Sequence, residues 1–133
     1  DKADAQIRLA EEQGADHTAL ASEVEELISK IGKVDVVMVH APSQKAIDQT
    51  TSIVKRGGTI LMGVLGNMRI KFPEEHSIIG SVIGSRYDMR ETLRIASLGK
   101  VKVRWKAYNL SDASEILLKL KKGEIVGRAV LTP

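Results

Sequence analysis

The chain has 133 residues, of which 43% are apolar and 28% charged, a balance that suits one globular domain. No apolar run approaches the roughly 20 residues of a membrane-spanning helix, and no secretory signal is visible, so we expect a cytoplasmic protein without a membrane partner. The absence of cysteine excludes disulfides and thiolate metal sites within these residues, and a net charge of +3 with four aromatic residues argues against a nucleic-acid partner.

Helical and extended patterns alternate from the start of the chain. A first helix is predicted to close at Gly14, where a left-handed residue is expected, and a short strand follows over 17–20. Ser22 and Glu25 form a capping box that starts a second helix, which ends at Gly32. The beginning of the chain is therefore predicted to alternate helix, strand and helix.

The middle of the chain continues this alternation. The valine-rich run 34–39 predicts a strand that is buried on both faces. A helix follows from Pro42 to about Lys55, and a glycine pair then turns the chain into a second buried strand over 59–65.

The second half of the chain repeats the pattern. A buried strand is predicted over 78–85, and a capping box of Asp88 and Glu91 starts a helix that ends at Gly99. The remaining patterns predict, in order, a half-buried strand over 101–108, a helix that Ser111 caps and Gly123 closes, and a last strand over 128–132. Strands that alternate with helices of this length indicate parallel α/β units.

Histidine is the only candidate metal or acid-base residue that stands out from the pattern. His17 at the start of a strand is interpreted as structural, and His76 as solvated. His40 follows a buried strand, and ligands of open α/β sheets bind beyond the carboxyl ends of strands, the alternative being that the loop backbone rather than this side chain makes the contact. No histidine pair has metal-ligand spacing, and no nucleophile elbow or phosphate-binding loop occurs. The residue pattern alone therefore predicts an α/β domain without a catalytic constellation.

Six stretches of the chain are informative through their order and spacing. They are AEEQGADH (10–17), VDVV (34–37), KRGGTILMGV (55–64), IIGSVIGSRYDMRE (78–91), GKVK (99–102) and GEIVGRAVL (123–131). In this order they resemble the carboxyl-terminal part of a medium-chain dehydrogenase/reductase of the zinc-type alcohol dehydrogenase family. The resemblance extends over nearly the whole chain.

The resemblance implies an α/β fold, namely a partial Rossmann fold (a doubly wound parallel sheet) that lacks its first two strands. Residues 1–84 would be the second part of the NAD(P)-binding domain, and residues 85–133 the carboxyl-terminal return segment of the catalytic domain. The glycine-rich turn, the first two strands and the zinc ligands of the family lie upstream of these residues. Since missing strands leave unpaired sheet edges, we expect the chain to be a piece of a longer enzyme.

The resemblance also implies a set of cofactor-binding residues. Asp1 is expected to bind the adenosine ribose, which would favour NAD over NADP, with Asp4 as the alternative register. Arg128 is expected to reach the cofactor pyrophosphate, the alternative being a surface arginine. Backbone groups at strand ends are expected to hold the nicotinamide carboxamide, at Gly63 and Val64 and from Ser81 to Ile83, the alternative being ordinary crowding between strands. His40 and Ala41 are expected to bind the cofactor at the end of the neighbouring strand.

Two features depart from the family pattern. Pro42 stands where the family usually has glycine, so the loop on the nicotinamide side loses a backbone donor. The excursion 66–77 is about half a dozen residues shorter than in relatives, where this segment supports subunit pairing. A homo-oligomer is still expected of the complete protein, although the shorter segment argues against pairing by that route.

The leading hypothesis is therefore part of an NAD(P)-dependent oxidoreductase that transfers a hydride between nicotinamide and an alcohol or aldehyde. NAD is the expected cofactor, with NADP as the alternative, and zinc is expected only through residues absent from this chain. The partner is a small alcohol or carbonyl substrate, and the 133 residues alone are expected to be inactive. The alternatives are a non-catalytic remnant that acts as an oligomeric or partner-binding module, and a zinc-free reductase of the same superfamily.

Overall fold

The computed structural model describes residues 1–70 and 72–133, so that Lys71 in the excursion 66–77 lies outside the described residues. The helices are α1 (Asp4–Glu12), α2 (Val24–Ile31), α3 (Gln44–Ile53), α4 (Arg86–Ser97) and α5 (Ala113–Lys121). The strands are β1 (Val34–Val39), β2 (Val54–Met62), β3 (Ser77–Gly80), β4 (Trp105–Asn109) and β5 (Arg128–Thr132). Short 3₁₀ turns cover Phe72–Glu74 and Leu110–Asp112. Among these described helices, none is long and apolar enough to cross a membrane.

The chain divides into two compact units. One unit comprises Ala21–Met89, and the other comprises Asp1–Leu20 together with Arg90–Pro133. The first of these, called here the three-stranded unit, contains the parallel sheet β1-β2-β3, and the other, called the two-stranded unit, contains the parallel pair β4-β5. The expectation of a mixed α/β fold with parallel strands is thereby confirmed, while the division at residues 84 and 85 stays a prediction.

The central strand β2 is irregular near its start. Val34 pairs with Val54, whereas Val36 already pairs with Thr59, so β2 has extra residues at this point. Gly57, with φ +73°, lies among them and supplies a conformation that residues with a Cβ rarely adopt. The glycine turn predicted to precede the strand therefore lies inside it, and the strand starts earlier than expected and ends at Met62.

The core of the three-stranded unit lies between α3 and one face of the sheet. Ile47 and Thr50 of α3 are 1% exposed, and Val54 and Ile60 of β2 are fully buried. The Thr50 hydroxyl donates a hydrogen bond of 2.7 Å to the Ile47 carbonyl, which satisfies the one buried polar side chain of this core. Each buried isoleucine contributes about 1.5–3 kcal/mol, so this layer positions the sheet and its ends.

The opposite face of the same sheet is exposed. Val36 and Met38 are 54% and 64% exposed, and Ile79 of β3 is 50% exposed. The prediction that these strands are buried on both faces is therefore wrong, because α3 covers only the face that carries Val39 and Ile60. The strand predicted over 78–85 also ends at Gly80.

In the two-stranded unit, the last strand and the end of α1 lie where the sequence predicts them, whereas two other predicted strands do not. The strand over 128–132 is confirmed as β5, and α1 ends before Gly14, whose φ of +93° gives the expected left-handed close. Only residues opposite β5 find a ladder partner, so the strand predicted from Val101 begins at Trp105. The strand predicted over 17–20 is wrong, because none of the strands in the described part of the chain pairs with these residues.

The predicted start of α2 is one residue early. The helix begins at Val24, and Glu23, rather than Ser22, precedes it without a side-chain capping bond. The first hydrogen bond of the helix runs from Leu27 N to the Glu23 carbonyl, which makes Glu23 the N-cap residue. The capping box of Ser22 and Glu25 is therefore wrong.

The predicted caps of α4 and α5 also shift. Because α4 begins at Arg86, Asp88 lies inside its first turn and Ser85 precedes the helix, so the capping box predicted to begin at Asp88 is wrong. A 3₁₀ turn occupies the predicted start of α5, where the Ser111 hydroxyl donates to Asp112 at 3.3 Å instead of capping the helix.

Candidate functional site

The carboxyl ends of β1, β2 and β3 lie along one edge of the sheet. Val39, Met62 and Gly80 are successive ladder partners across the three strands. Two further backbone bonds extend the ladder, from Gly63 N to Val39 O at 2.9 Å and from Ser81 N to Met62 O at 2.8 Å. Six predicted site residues are consequently neighbours at this carboxyl edge: His40, Ala41, Gly63, Val64, Ser81 and Ile83.

His40 and Gly63 meet directly at this edge. A Cβ on Gly63 would lie against His40 Nδ1 and 2.6 Å from His40 Cε1, so the imidazole occupies the space that a side chain at 63 would need. His40 as a whole is exposed to solvent. The sequence indicated both residues separately, but it gave no sign that one makes room for the other.

The loop after β1 is tight. Ser43 N donates a hydrogen bond of 2.8 Å to Ala41 O, which encloses Pro42 in a three-residue turn. The fixed φ of proline suits such a turn, and α3 begins directly after it. The proline that departs from the family pattern thus shapes the loop beside His40.

The loop after β2 is held to α3 by Gln44, a residue that no pattern in the sequence indicates. The Gln44 side chain donates to Asn67 O at 2.6 Å and accepts from Asn67 N at 3.2 Å. Gly66 lies against the Ile47 side chain, where a Cβ would clash. These contacts fix the segment that carries Val64, and a sequence separation of 23 residues leaves no local pattern from which to find them.

The segment after β3 presents apolar side chains to solvent. Val82 is 85% exposed and Ile83 is 90% exposed, so two neighbouring large apolar side chains lie in solvent directly after Ser81. Exposed apolar side chains next to free strand ends are a surface on which the flat face of a ring can pack.

The ion pairs of this sheet lie at the other end of its strands. Lys55 contacts Asp35 near the start of β1 at 2.8 Å, and Arg56 contacts Glu75 before β3 at 3.3 Å. A hydrogen bond from Lys55 and its positive charge hold the pKa of Asp35 below its ordinary value. Charge is therefore concentrated near the amino ends of the strands, whereas small, apolar and imidazole groups make up the carboxyl edge.

Asp1 lies in the two-stranded unit beside a cavity. Its Oδ1 accepts hydrogen bonds from Lys2 N at 2.6 Å and Ala3 N at 3.3 Å, and its backbone nitrogen donates to Ala19 O at 3.0 Å. The cavity measures about 410 Å³ and is lined also by Gln6, Ala10, His17 and Thr18. Asp4, the alternative, lies in the first turn of α1.

Arg128 opens β5 in the same unit. Its backbone N donates to Arg104 O at 2.9 Å, and its guanidinium donates to the adjacent Gly127 carbonyl at 3.3 Å. Within residues 1–70 and 72–133 no carboxylate lies within ion-pair distance of this guanidinium, and the residue is exposed. The guanidinium is therefore available for an external anion.

The described residues do not fit a zinc ion. No cluster of three or more His, Asp or Glu side chains that could hold a metal occurs in the described part of the chain, which also has no cysteine. His17 lines the cavity beside Asp1. His76, which the sequence predicts to be solvated, is half-buried: its Nε2 is buried, and no described residue gives that atom a hydrogen-bond partner.

Comparisons with known proteins agree with each other. The family model described as zinc-binding dehydrogenase matches residues 1–97. An alcohol dehydrogenase of Geobacillus stearothermophilus is 31% identical over 140 residues, covering 98% of this chain and 41% of that protein. The alcohol dehydrogenase structure of the archaeon Aeropyrum pernix is 32% identical with a TM-score of 0.88, covering 100% of this chain and 41% of that chain. The acetophenone reductase of Geotrichum candidum, solved in complex with NAD, is 26% identical with a TM-score of 0.81, and the match covers 100% of this chain and 40% of that chain. The chain thus spans about two-fifths of the length of these relatives.

Proposed function

This chain belongs to the zinc-binding dehydrogenase family, and we propose that the intact protein is an NAD-dependent oxidoreductase that interconverts an alcohol and a carbonyl compound. Support comes from relatives named alcohol dehydrogenase that are 31% to 33% identical over 94% or more of this chain. The alcohol dehydrogenase structure of Aeropyrum pernix shares the mixed α/β fold of this chain, which is consistent with a partial Rossmann fold.

The observation that carries this proposal is the row of six residues at the carboxyl edge of the sheet. In open α/β sheets a ligand binds outside the carboxyl ends of the strands. We place the nicotinamide end of the cofactor here, with its ring against Ile83 and its polar groups toward Gly63, Val64 and Ser81. The nicotinamide supplies hydride transfer when it is bound, and these residues orient the ring and exclude water from one of its faces.

The adenosine ribose and the pyrophosphate are assigned to Asp1 and Arg128. The hydroxyls of a ribose donate hydrogen bonds to a carboxylate, whereas a 2′-phosphate would be repelled by it, so Asp1 favours NAD and makes NADP the alternative cofactor. Arg128 has the planar donor set that matches phosphate oxygens, and its guanidinium has no carboxylate partner among the described residues. Residues 1–84 then form the cofactor-binding part and residues 85–133 the return segment.

Zinc, where the intact protein uses it, is held outside these 133 residues. We further propose that the isolated chain is inactive, because it covers only about two-fifths of the length of the relatives named alcohol dehydrogenase. The intact protein is also expected to form a homo-oligomer that acts on a small alcohol or carbonyl substrate.

The test is an activity assay on the intact protein. Reduction of NAD with a panel of primary and secondary alcohols, together with the reverse reaction on the matching carbonyl compounds, should show turnover. Loss of turnover after chelation and its recovery with zinc would identify the zinc enzyme, and full turnover in chelator would identify the zinc-free reductase. Failure to bind NADH or NADPH at all would refute the proposal and leave the non-catalytic module.

A further inference from the structure

The contact between His40 and Gly63 assigns a role to each residue. His40 is the first residue beyond β1 and Gly63 the first beyond β2, and the backbone bond from Gly63 N to Val39 O fixes the two strand ends against each other. The imidazole turns its Nδ1–Cε1 edge toward Gly63, with Cε1 at 2.6 Å from the position that a Cβ would take. The ring therefore lies directly against the backbone of the neighbouring strand.

This arrangement depends on the absence of a side chain at 63. Even one methyl group would force the ring to rotate away, because real Cβ atoms do not approach other atoms this closely. Solvent can accommodate the rotated ring, since His40 is an exposed side chain and other staggered rotamers point away from the strand. Alanine at 63 would therefore move the imidazole without disturbing the core, which lies at Ile47, Val54 and Ile60.

The orientation also decides which ring atom faces a ligand. With Nδ1 and Cε1 toward the strand, Nε2 is the nitrogen farther from Gly63, and no described residue hydrogen-bonds either ring nitrogen. A neutral imidazole nitrogen donates or accepts one hydrogen bond, as does a ribose hydroxyl. Among the six residues of this edge, Ile83 and Val64 offer no polar side-chain atom, whereas His40 and Ser81 do, and His40 is the one that lies against Gly63.

We propose that Gly63 is a positioning residue that holds the His40 imidazole against the end of β2, where its outer nitrogen hydrogen-bonds a ribose hydroxyl on the nicotinamide half of the cofactor. The proposal rests on the proposed function, because it requires the cofactor to bind at the carboxyl edge. It makes the pair, rather than His40 alone, a determinant of cofactor affinity.

A double-mutant cycle in the intact protein tests this pair. His40→Ala should weaken NADH binding about threefold to tenfold, as expected for one neutral hydrogen bond, and Gly63→Ala should weaken it by a similar factor. In the His40→Ala background the added methyl has no ring to displace, so Gly63→Ala should cost little more. Gly80→Ala is the matched control, because a Cβ on this strand-end glycine meets nothing within 4 Å.

Two further measurements keep the outcomes separate. AMP, which lacks the nicotinamide half, should bind His40→Ala and the unaltered protein equally, and the imidazole NMR signals of His40 should shift in Gly63→Ala but not in Gly80→Ala. Additive losses in the cycle, or unchanged NADH affinity in His40→Ala, would overturn the inference even if Gly63→Ala alone failed to fold. Absence of NADH binding in the unaltered protein would instead count against the proposed function.

Discussion

The Ser85 hydroxyl and the Asp88 carboxylate close the first turn of α4 by reciprocal hydrogen bonds. Asp88 Oδ2 accepts from Ser85 N at 2.6 Å and from the Ser85 hydroxyl at 2.7 Å, and Asp88 N donates to Ser85 Oγ at 3.3 Å. This is the geometry of a capping box, with an aspartate where glutamate is usual. It fixes the helix that directly follows Ile83 and Gly84, and thereby the end of the candidate site.

Ser85→Ala should lower the free energy of unfolding by about 1 kcal/mol, the usual effect of removing an N-cap hydroxyl. Ser97→Ala is the matched control, because that hydroxyl bonds the Arg94 carbonyl at the other end of the same helix and caps no N–H group. Urea unfolding of both variants checks this. Equal losses in the two variants would contradict a specific capping role for Ser85.

Asp88 should make stability depend on pH at the acid end. The Ser85 hydroxyl, and then the Ser85 backbone N–H, hold the pKa of Asp88 below its ordinary value. A depressed pKa in the folded state means that the ionised carboxylate stabilises the fold above the unfolded pKa of about 3.9 and loses this effect as pH falls through the folded pKa. Unfolding measured from pH 6 to pH 3 should therefore show the advantage of the unaltered protein over Asp88→Asn shrinking below about pH 4, whereas parallel curves would contradict it.

The capping boxes show where the sequence was insufficient. Ser22 with Glu25 and Asp88 with Glu91 both match the pattern, yet the structure uses neither and uses Ser85 with Asp88 instead. A spacing of three residues between a capping side chain and a carboxylate recurs in several registers, and the energy difference between them is small compared with packing. The boundary of a helix is therefore decided by the tertiary structure.

The candidate site was predictable where it depends on topology and unpredictable where it depends on register. Parallel strands end at one edge, so the row from His40 to Ile83 follows from the order of the strands. The contact of His40 with Gly63 and of Gln44 with Asn67 depends on how β1 and β2 are aligned. The extra residues near Gly57 shift that alignment, and no periodic pattern in the sequence reports such a shift.

Gly127→Ala should be among the most destabilising single changes in the two-stranded unit. Gly127 has φ +86°, and a Cβ there would collide with the Arg104 carbonyl oxygen, a backbone atom that cannot rotate away. We expect a loss of roughly 2–4 kcal/mol, combining left-handed strain with overpacking. Gly123→Ala is the comparison, because Gly123 has φ +75° and an added Cβ would meet open space. Urea unfolding of this variant should therefore show a loss of free energy of unfolding from the backbone strain alone, about 1–2 kcal/mol. Equal losses would mean that the Arg104 contact contributes nothing.

Cofactor preference should respond to Asp1 in the intact protein. Asp1→Asn keeps an oxygen that can accept from the Lys2 and Ala3 amides but removes the charge, so NAD should lose about tenfold to a hundredfold in affinity relative to NADP. Asp4→Asn is the matched control and distinguishes the two registers. An altered preference in Asp4→Asn, with none in Asp1→Asn, would move the ribose contact to Asp4, and steady-state kinetics with both cofactors would show it.

The 133-residue chain by itself should bind NAD only weakly. A dinucleotide pyrophosphate is usually held by backbone N–H groups at a helix amino terminus behind a glycine-rich turn, and no such G-x-G-x-x-G turn occurs in this sequence. Arg128 would supply a single charged contact, which salt screens in an exposed position. Since binding must also offset the loss of translational and rotational freedom, the remaining contacts leave little affinity.

Calorimetric titration with NAD should give no saturable heat at micromolar concentrations for the chain, while the intact protein titrated in the same way serves as the positive control. If weak heat appears at millimolar NAD, Arg128→Ala should abolish it and Lys106→Ala, a nearby cation of β4, should not. Micromolar affinity in the isolated chain would show that these residues form a sufficient site for the whole cofactor, contrary to the proposed division of the site.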